Sequence, residues 1–175
     1  FDVHFRIGKL HELLKQNDDA LDAYLTALQF IRNPQDELTV RNALGPLFHS
    51  RKSYLEAIHQ YNRIRKLAPD DFQTSYRLAL IAFEREQYPE ALKELDTLIK
   101  NVPGNFFFHS LRLRSMDKLQ RSAEGYQGFL DGLQQAIELA SLEDTLPFLV
   151  ELTRQSTLQQ IKTLGFLPRA RELLE

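Results

Sequence analysis

The fold is decided by residues 71–104, which read DFQTSYRLALIAFEREQYPEALKELDTLIKNVPG. In the first half, apolar side chains recur every three or four residues, which is the period of a helix that buries one face. These side chains are Phe72, Tyr76, Leu78, Ala79, Ala82 and Phe83. After a turn at residues 87–88, Pro89 fits the first turn of a second helix, and residues 101–104 end it. The stretch therefore predicts a helix A over residues 71–86 and a helix B that runs to residue 101.

The same pattern occurs twice more upstream, at offsets of 34 and 37 residues. The aligned positions are Gly8, Gly45 and Ala79 on helix A, Ala20, Ala57 and Ala91 on helix B, and Tyr24, Tyr61 and Leu95 further along helix B. Small residues at the first two positions let the helices approach closely, and the tyrosines are expected to fill the groove to the neighbouring repeat. Because self-similarity at a fixed period is the mark of a repeat array, we predict repeats at 2–34, 35–69 and 70–104.

This pattern resembles the tetratricopeptide repeat family, whose unit is a helix-turn-helix of about 34 residues. The resemblance implies an all-α, right-handed helix-turn-helix solenoid with a helical C-terminal cap. The bulky aromatic residue that often opens helix A in the family is missing here, where His4, Arg41 and Ser75 stand instead. The departure weakens a subfamily assignment and leaves the fold assignment as it is.

Residues 105–140 are expected to form a degenerate fourth unit, with helices over 106–119 and 122–139. Gly125, Gly128 and Gly132 interrupt the second of these helices and indicate close packing or a bend. Further short helices are predicted in residues 141–175. These form either a cap that ends the array or a separate helical tail that docks in the groove or on a partner.

Composition and charge narrow the function classes. Leucine and alanine dominate the apolar residues, which favours helix and excludes a β-sandwich or a doubly wound sheet. With 22 basic and 24 acidic residues, the chain lacks the basic excess of a protein that binds duplex nucleic acid nonspecifically. Cysteine is absent, so disulfides, thiolate metal sites and cysteine nucleophiles are excluded. No apolar stretch has the length of a membrane span, about 20 residues.

The sequence offers no constellation for catalysis. No pair of histidines has the spacing of H-E-x-x-H, and no nucleophile elbow or phosphate-binding glycine motif occurs. Acidic pairs such as Asp18 and Asp19 fall at predicted helix starts, where carboxylates complement the helix dipole. We therefore predict a protein that is not an enzyme and that has no catalytic residues, no metal site and no cofactor.

The resemblance also implies that the A helices line a concave groove. Equivalent positions on successive A helices lie side by side in such an array. The side chains expected in the groove are therefore Phe5, Arg6, Lys9, Asn42, His49, Tyr76, Arg77, Leu80, Phe83, Phe107 and Arg114. Arginine and aromatic residues often carry binding energy at interfaces, so the groove suits a peptide with acidic and apolar side chains. The alternative is that these residues are the scattered apolar and charged groups of any surface.

A known clamp of the family can be tested on these positions. Members that bind chaperones hold a C-terminal carboxylate with lysine, asparagine and arginine side chains on three A helices. The matching positions here hold Phe5, Lys9, Ala43, Gln73 and Arg77, of which only Arg77 agrees. Recognition of a chaperone tail by this clamp is therefore not expected.

Two function hypotheses remain open. The first is a noncatalytic scaffold that binds a protein or peptide in the concave groove, without nucleic acid. The second is a regulatory or oligomerisation module of a larger enzyme, sensor or secretion and assembly protein. A homodimer through the solenoid ends is a further expectation, because no preceding helix covers Val3, Ile7 and Leu10. The chain begins with Phe1, as expected of a fragment or a processed product, and a cytoplasmic location is favoured over a periplasmic one.

Overall fold

A computed structural model describes residues 1–139, 145–148 and 150–151. In this part of the chain there is no strand, and the prediction of an all-α, helix-turn-helix protein is confirmed. The helices are α1 (Asp2–Leu13), α2 (Asn17–Leu28), α3 (Pro34–Ser50), α4 (Tyr54–Leu67), α5 (Phe72–Glu84), α6 (Tyr88–Asn101), α7 (Phe106–Lys118) and α8 (Ser122–Glu138). Residues 145–148 are helical as well. Most of the expected cap or tail at 141–175 lies outside the described residues.

The chain divides into two compact units, Phe1–Ile81 and Ala82–Glu175. Each unit is described by itself below. The assignment of residues to repeats at 2–34, 35–69, 70–104 and 105–140 stays a prediction. No helix in the described ranges is both long and apolar enough to cross a membrane.

One type of turn recurs between helices along the chain. Lys15, Lys52, Glu86 and Gln120 all have a positive φ, between 59° and 61°. Each of the four backbone N–H groups donates to the carbonyl three residues earlier, and the next N–H donates to the carbonyl five residues earlier. Such a left-handed residue satisfies the last carbonyls of a helix and reverses the chain. The spacings between these residues are 37, 34 and 34, so the turns follow the offsets found in the sequence.

Side-chain caps fix where several helices begin. The side chain of Asn33 accepts a hydrogen bond from the Asp36 N–H at 2.9 Å, at the start of α3. The Asp71 carboxylate accepts from the Gln73 N–H at 3.0 Å and from the Thr74 hydroxyl at 2.6 Å, at the start of α5. These oxygens satisfy N–H groups that have no partner inside the helix.

In the unit Phe1–Ile81, each tyrosine of helix B lies on the glycine of its own repeat. A Cβ atom built on Gly8 would lie 2.5 Å from Cε1 of Tyr24, and one built on Gly45 would lie 2.5 Å from Cε1 of Tyr61. Both rings are fully buried. The sequence analysis expected the tyrosines to fill the groove to the next repeat. The structure shows in addition that each ring packs on the glycine of the other helix in its own repeat, so the close approach of those two helices also depends on the ring.

The two tyrosines also reach the following helix. Tyr24 belongs to a buried cluster that joins Ala20 and Ala27 of α2 to residues of α3, namely Val40, Ala43, Leu44 and Leu47. Tyr61 forms a similar cluster with Ala57 and Ile64 of α4 and with Leu78 and Ile81 of α5. One side of α2 is thus covered by α3, and one side of α4 by α5.

In the unit Ala82–Glu175, the glycines of α8 are sites of close packing. A Cβ on Gly125 would lie 2.9 Å from Cβ of Met116, and one on Gly132 would lie 2.5 Å from the His109 ring. Beside them, Leu113, Phe129, Leu133, Ala136 and Phe148 form a buried cluster. Of the two predicted reasons for these glycines, close packing is the one that these contacts show.

Candidate binding surface

On α1, two of the predicted groove residues are part of one polar and aromatic cluster. Phe5 is half-buried, with its ring centroid 5.7 Å from Phe1 and 5.4 Å from Tyr24. The Tyr24 hydroxyl donates to Oε2 of Glu12 at 2.6 Å, and Lys9 donates to the same oxygen at 3.0 Å. Phe5 and Lys9 are thus connected through Tyr24 and Glu12.

These contacts fix the charge of the cluster. Burial acts to raise the pKa of Glu12, but the hydrogen bonds from Tyr24 and Lys9 outweigh it and hold the pKa below its ordinary value. Burial and the same bond to Glu12 raise the pKa of the Tyr24 hydroxyl. Glu12 is therefore a carboxylate at neutral pH, and it offsets the charge of Lys9 at the surface.

The remaining predicted residues on α1 and α3 lie at the surface to different degrees. Arg6 and Asn42 are exposed. His49 is half-buried, and its ring centroid is 6.1 Å from that of Tyr54. Charge and hydrogen-bonding capacity are therefore available on α1 and α3, whereas His49 is part of the packing between α3 and α4.

On α5, the cation that the sequence analysis singled out is held in place by an aromatic ring. The guanidinium carbon of Arg77 lies 5.7 Å from the centroid of the Tyr61 ring, in the geometry of a cation–π contact. Burial raises the pKa of the Tyr61 hydroxyl, while the charge of Arg77 acts in the opposite direction. Tyr76, Arg77 and Leu80 are all half-buried. Arg77 thus packs on the Tyr61 ring and is shielded in part from solvent.

The predicted residues of the second unit include one direct contact. The guanidinium of Arg114 lies 4.7 Å from the centroid of Phe83, whose ring is 5.5 Å from that of Tyr88. Phe107 is 58% exposed and lies 5.5 Å from Phe106. The assembly of all these residues into a single groove stays a prediction.

The sequence analysis missed a buried charge network between α3 and α4. The Glu37 carboxylate accepts from Arg41 at 2.8 Å and from Arg63 at 3.0 and 2.7 Å. Arg41 also donates to the amide oxygen of Gln60 at 2.6 Å. The spacing of Glu37 and Arg41 by four residues is visible in the sequence, but Arg63 is 26 residues away and no local pattern predicts its contact.

The network makes Glu37 a stable carboxylate. Burial acts to raise its pKa, but the hydrogen bonds and charges of Arg63 and Arg41 lower it further than burial raises it. A buried carboxylate with two arginines is well satisfied, so it is not a group that readily exchanges a proton near neutral pH. The network therefore fits a role in packing α3 on α4 better than a role in acid–base chemistry.

A cavity of about 500 Å³ lies in the second unit, between α6, α7 and α8. Most of the residues that line it are charged or polar, and both signs of charge are present: Asp96, Lys100, Arg112, Glu124, Gln127 and Asp131, with Ile99, His109 and Gly128. Arg112 donates to Asp96 at 2.8 Å. In the residues that the structure describes, no group of three histidine, aspartate or glutamate side chains is placed to hold a metal ion.

Comparisons with known proteins agree with the fold. Residues 43–106 match the family model of the tetratricopeptide repeat. A peroxisomal targeting signal receptor from Candida glabrata is 29% identical over 130 residues, which are 73% of this chain and 21% of that protein. The chain therefore spans about a fifth of the length of the curated relative that it matches.

Solved structures show the same fold at low sequence identity. MamA AMB-1 superposes with a TM-score of 0.66 and 19% identity, covering 83% of this chain and 77% of that one. MamA from Desulfovibrio magneticus RS-1 gives a TM-score of 0.60 at 16% identity, with coverage of 87% and 93%. At these identities the likeness concerns the fold alone.

Proposed function

We propose, on the premise that this chain is a tetratricopeptide repeat protein, that it is a noncatalytic scaffold which binds a peptide segment of a protein partner along its A helices. In the first compact unit, the binding residues would be Phe5, Arg6 and Lys9 of α1, Asn42 and His49 of α3, and Tyr76, Arg77 and Leu80 of α5. In the second unit they would be Phe83, Phe107 and Arg114. Nucleic acid is not among the proposed ligands, because the net charge is −2.

The observation that carries this proposal is the position of Arg77 over Tyr61, at 5.7 Å from the ring centroid. An arginine held against a ring has lost part of its rotamer freedom before a ligand arrives, so less entropy is lost on binding. Its guanidinium can still donate to a carboxylate, a bond that is stronger than one between neutral groups. Together with Arg6, which occupies the aligned position on α1, it favours a partner with acidic side chains.

The test is an affinity capture from lysate, followed by mass spectrometry, with three baits: the unmodified full chain, one variant and one control variant. The Lys9→Glu/Asn42→Glu variant changes two exposed positions on the A helices and should lose the partner. The Lys66→Glu/Thr97→Glu control makes the same change in charge at exposed positions on B helices. A partner that is kept by the control and lost from the first variant supports the proposal. Equal capture by all three baits would contradict it.

A second candidate, a receptor for a short targeting signal, is favoured by the similarity to the Candida glabrata receptor over 73% of this chain. A C-terminal Ser-Lys-Leu sequence is a peroxisomal signal and ends in a carboxylate, which the basic side chains of the A helices could bind. Fluorescence polarisation with a peptide ending in Ser-Lys-Leu, compared with its C-terminal amide, tests this candidate. Binding that requires the free carboxylate supports it, and equal binding of the two peptides rejects it.

The same similarity favours a role as a module in a larger assembly, since it spans only 21% of the receptor. In that case the scaffold function of the A helices would serve regulation or oligomerisation of the whole protein. The capture experiment separates a regulatory module from an independent scaffold. A regulatory module would capture the proteins of its own assembly.

A further inference from the structure

The interior of α3 contains a proline. Pro46 lies within Pro34–Ser50, and the helix continues on both sides of it. Proline has no main-chain N–H, so it cannot donate to the carbonyl four residues earlier, which is that of Asn42. A proline in a helix interior is costly for this reason and because its ring crowds that carbonyl. Helix formation alone therefore does not account for Pro46.

The main-chain carbonyl of Asn42 also lacks a side-chain donor. Earlier on the same helix, the Thr39 hydroxyl donates to the carbonyl of Gln35 at 2.8 Å. In the ranges that the structure describes, no side chain does the same for Asn42. Because a main-chain carbonyl is a strong acceptor, this one is open to a donor from water or from a ligand.

This carbonyl lies on the open side of α3. The helix packs on α2 through Leu44 and on α4 through Gly45. At 100° per residue, Asn42 and Pro46 lie on a third side, away from both contacts. Asn42 is accordingly exposed, and Pro46 is half-buried. Carbonyls on the solvent side of a helix tilt outward, so the Asn42 oxygen is accessible beside the Pro46 ring.

The open side of α3 belongs to the binding surface proposed above. At the repeat offsets, Asn42 and Pro46 correspond to residues of α1 and α5 that are themselves proposed to bind the partner, namely Phe5, Lys9, Tyr76 and Leu80. Asn42 therefore occupies the middle repeat of the three whose A helices contribute to the surface. A partner segment that spans α1 and α5 would have to cross it.

The chemistry of the carbonyl limits what can bind it. An oxygen of this kind accepts hydrogen bonds and donates none, so its ligand must bring an N–H or an O–H group. A helical partner has used its main-chain N–H groups in its own hydrogen bonds, whereas an extended segment has them free. The free carbonyl therefore fits a main-chain N–H of an extended segment, whatever its side chain.

Charge favours a partner protein over the C-terminal residues of this chain as the source of that segment. Arg6, Lys9 and Arg77 on α1 and α5 are basic, and of these only Lys9 is offset by Glu12. Residues 152–175 include four basic and two acidic residues, so they would meet side chains of their own sign. An acidic segment from a partner has the complementary charge.

We propose, building on the function proposed above, that the main-chain carbonyl of Asn42 accepts a hydrogen bond from a main-chain N–H of the bound partner segment. That segment is acidic, and it is extended where it crosses α3. Pro46 keeps the carbonyl free for this bond, and Arg6 and Arg77 bind acidic side chains on either side of it. The carbonyl thus selects the backbone conformation of the partner, while the arginines select its charge.

The probe is a short linear peptide selected from a random phage-displayed library on the unmodified full chain. We expect the selected sequence to be rich in aspartate and glutamate. Each main-chain N–H of the synthetic peptide is then replaced in turn by N-methyl, and the affinity is measured by fluorescence polarisation. Methylation of the N–H that bonds to Asn42 should weaken binding about fivefold or more, which corresponds to one hydrogen bond.

Pro46→Ala supplies the other arm of a double-mutant cycle. Alanine restores the helical donor to the Asn42 carbonyl, so the unmethylated peptide should bind about fivefold more weakly. Methylation at the sensitive position should then have little further effect. The same substitution should move the midpoint of urea unfolding upward, because it removes a proline from a helix interior. A proline with a merely structural role would not give weaker binding together with higher stability.

Two control variants separate the carbonyl from its surroundings. Pro89→Ala is matched to Pro46→Ala, because Pro89 is exposed in the first turn of α6, where an N–H has no acceptor inside the helix. It should leave the affinity and the effect of each methylation unchanged. Asn42→Ala removes the side-chain amide and keeps the main-chain carbonyl, so the same position of the peptide should stay sensitive to methylation.

Several results would overturn this inference while leaving the proposed function intact. Methylation effects that are the same in the unmodified chain and in Pro46→Ala would show that the carbonyl binds no N–H of the peptide. Loss of the sensitive position in Asn42→Ala would make the side-chain amide the acceptor. Displacement of the peptide by a synthetic copy of residues 152–175 would identify the chain itself as the occupant.

A different pair of results would contradict the proposed function and this inference with it. These are a selection that yields no binding peptide, and a selected peptide that binds the Lys9→Glu/Asn42→Glu variant as well as the unmodified chain. A sensitive position that is kept in Asn42→Ala and Pro89→Ala and lost in Pro46→Ala supports the carbonyl as the acceptor.

Discussion

Replacing Gly45 by alanine tests the close contact between α3 and α4. The added Cβ would lie 2.5 Å from Cε1 and 2.9 Å from Cζ of Tyr61, well inside van der Waals contact. The ring cannot easily move away, since it is 1% exposed and packed against Ala57, Leu78 and Ile81. The substitution therefore forces either the ring or the backbone of α3 to shift.

The sign of the effect depends on two opposing terms. Alanine favours a helix interior over glycine by about 1 kcal/mol, which would stabilise the variant. Overpacking of a filled core costs about 1–3 kcal/mol, and a displacement of nearly 1 Å against a pinned ring belongs at the upper end. We expect Gly45→Ala to lower the free energy of unfolding by about 2 kcal/mol.

Urea denaturation followed by far-UV circular dichroism measures this change. Gly128→Ala is the matched control, because there the Cβ meets the far end of the flexible Arg112 side chain at 2.7 Å, which can move aside. We expect that control to be neutral or stabilising by up to about 1 kcal/mol. A second substitution, Tyr61→Leu, should remove most of the cost of Gly45→Ala. An unchanged or increased stability of the Gly45→Ala single variant would refute the geometry.

Three further predictions concern the core and two buried titratable groups. Ala57→Leu should destabilise by about 1–3 kcal/mol in urea melts, because Ala57 of α4 is completely buried in the cluster with Leu78 and Ile81 of α5. A neutral result would mean that the helix register is wrong. Burial acts to raise the pKa of Glu37, but its bonds to the two arginines lower that pKa below the ordinary value of about 4.3. The Glu37 carboxylate therefore stabilises the fold above that pH, and this stabilisation is lost as the pH falls below it. In melts at a series of acid pH values, the stability of Glu37→Gln should fall less steeply with pH. Burial lowers the pKa of His109, so the second unit should lose stability as the pH falls below about 6.5, where the imidazole of the unfolded chain takes up a proton. His109→Gln should abolish this loss of stability in thermal melts. An unaltered dependence of the melting temperature on pH would mean that other groups cause it.

The fold was predictable because its signals are local and repeated. The three- and four-residue apolar spacing gives the helices, and the predicted helix A at 71–86 differs from α5 only at its ends. The repeat offsets then gave the equivalence of Gly8 with Gly45 and of Tyr24 with Tyr61, which the shared 2.5 Å approach confirms. The offsets could not predict which way the Tyr24 and Tyr61 rings point. That direction depends on how closely each ring approaches a glycine sixteen residues earlier in the chain, where a Cβ atom would lie less than 3 Å from the ring.

The candidate binding residues were less predictable, because exposure on a helix depends on what packs beside it. Lys9 was predicted to line the groove, and the structure shows that it shares Glu12 with the Tyr24 hydroxyl. Arg77 was predicted to line the same groove, and its guanidinium lies over the Tyr61 ring. The Tyr24–Glu12 and Arg77–Tyr61 contacts join residues from different helices and have no sequence signal of their own, whereas Lys9 and Glu12 lie three residues apart on α1.

The structure assigns different roles to the sides of α1. Gly8 receives the Tyr24 ring and fixes α1 on α2, so that side is not available to a ligand. Lys9 and Leu10 are successive residues, so their side chains point about 100° apart around the helix. Arg6 and Leu10, by contrast, are four residues apart and lie on the same side of α1, so the exposed leucine borders the proposed binding surface.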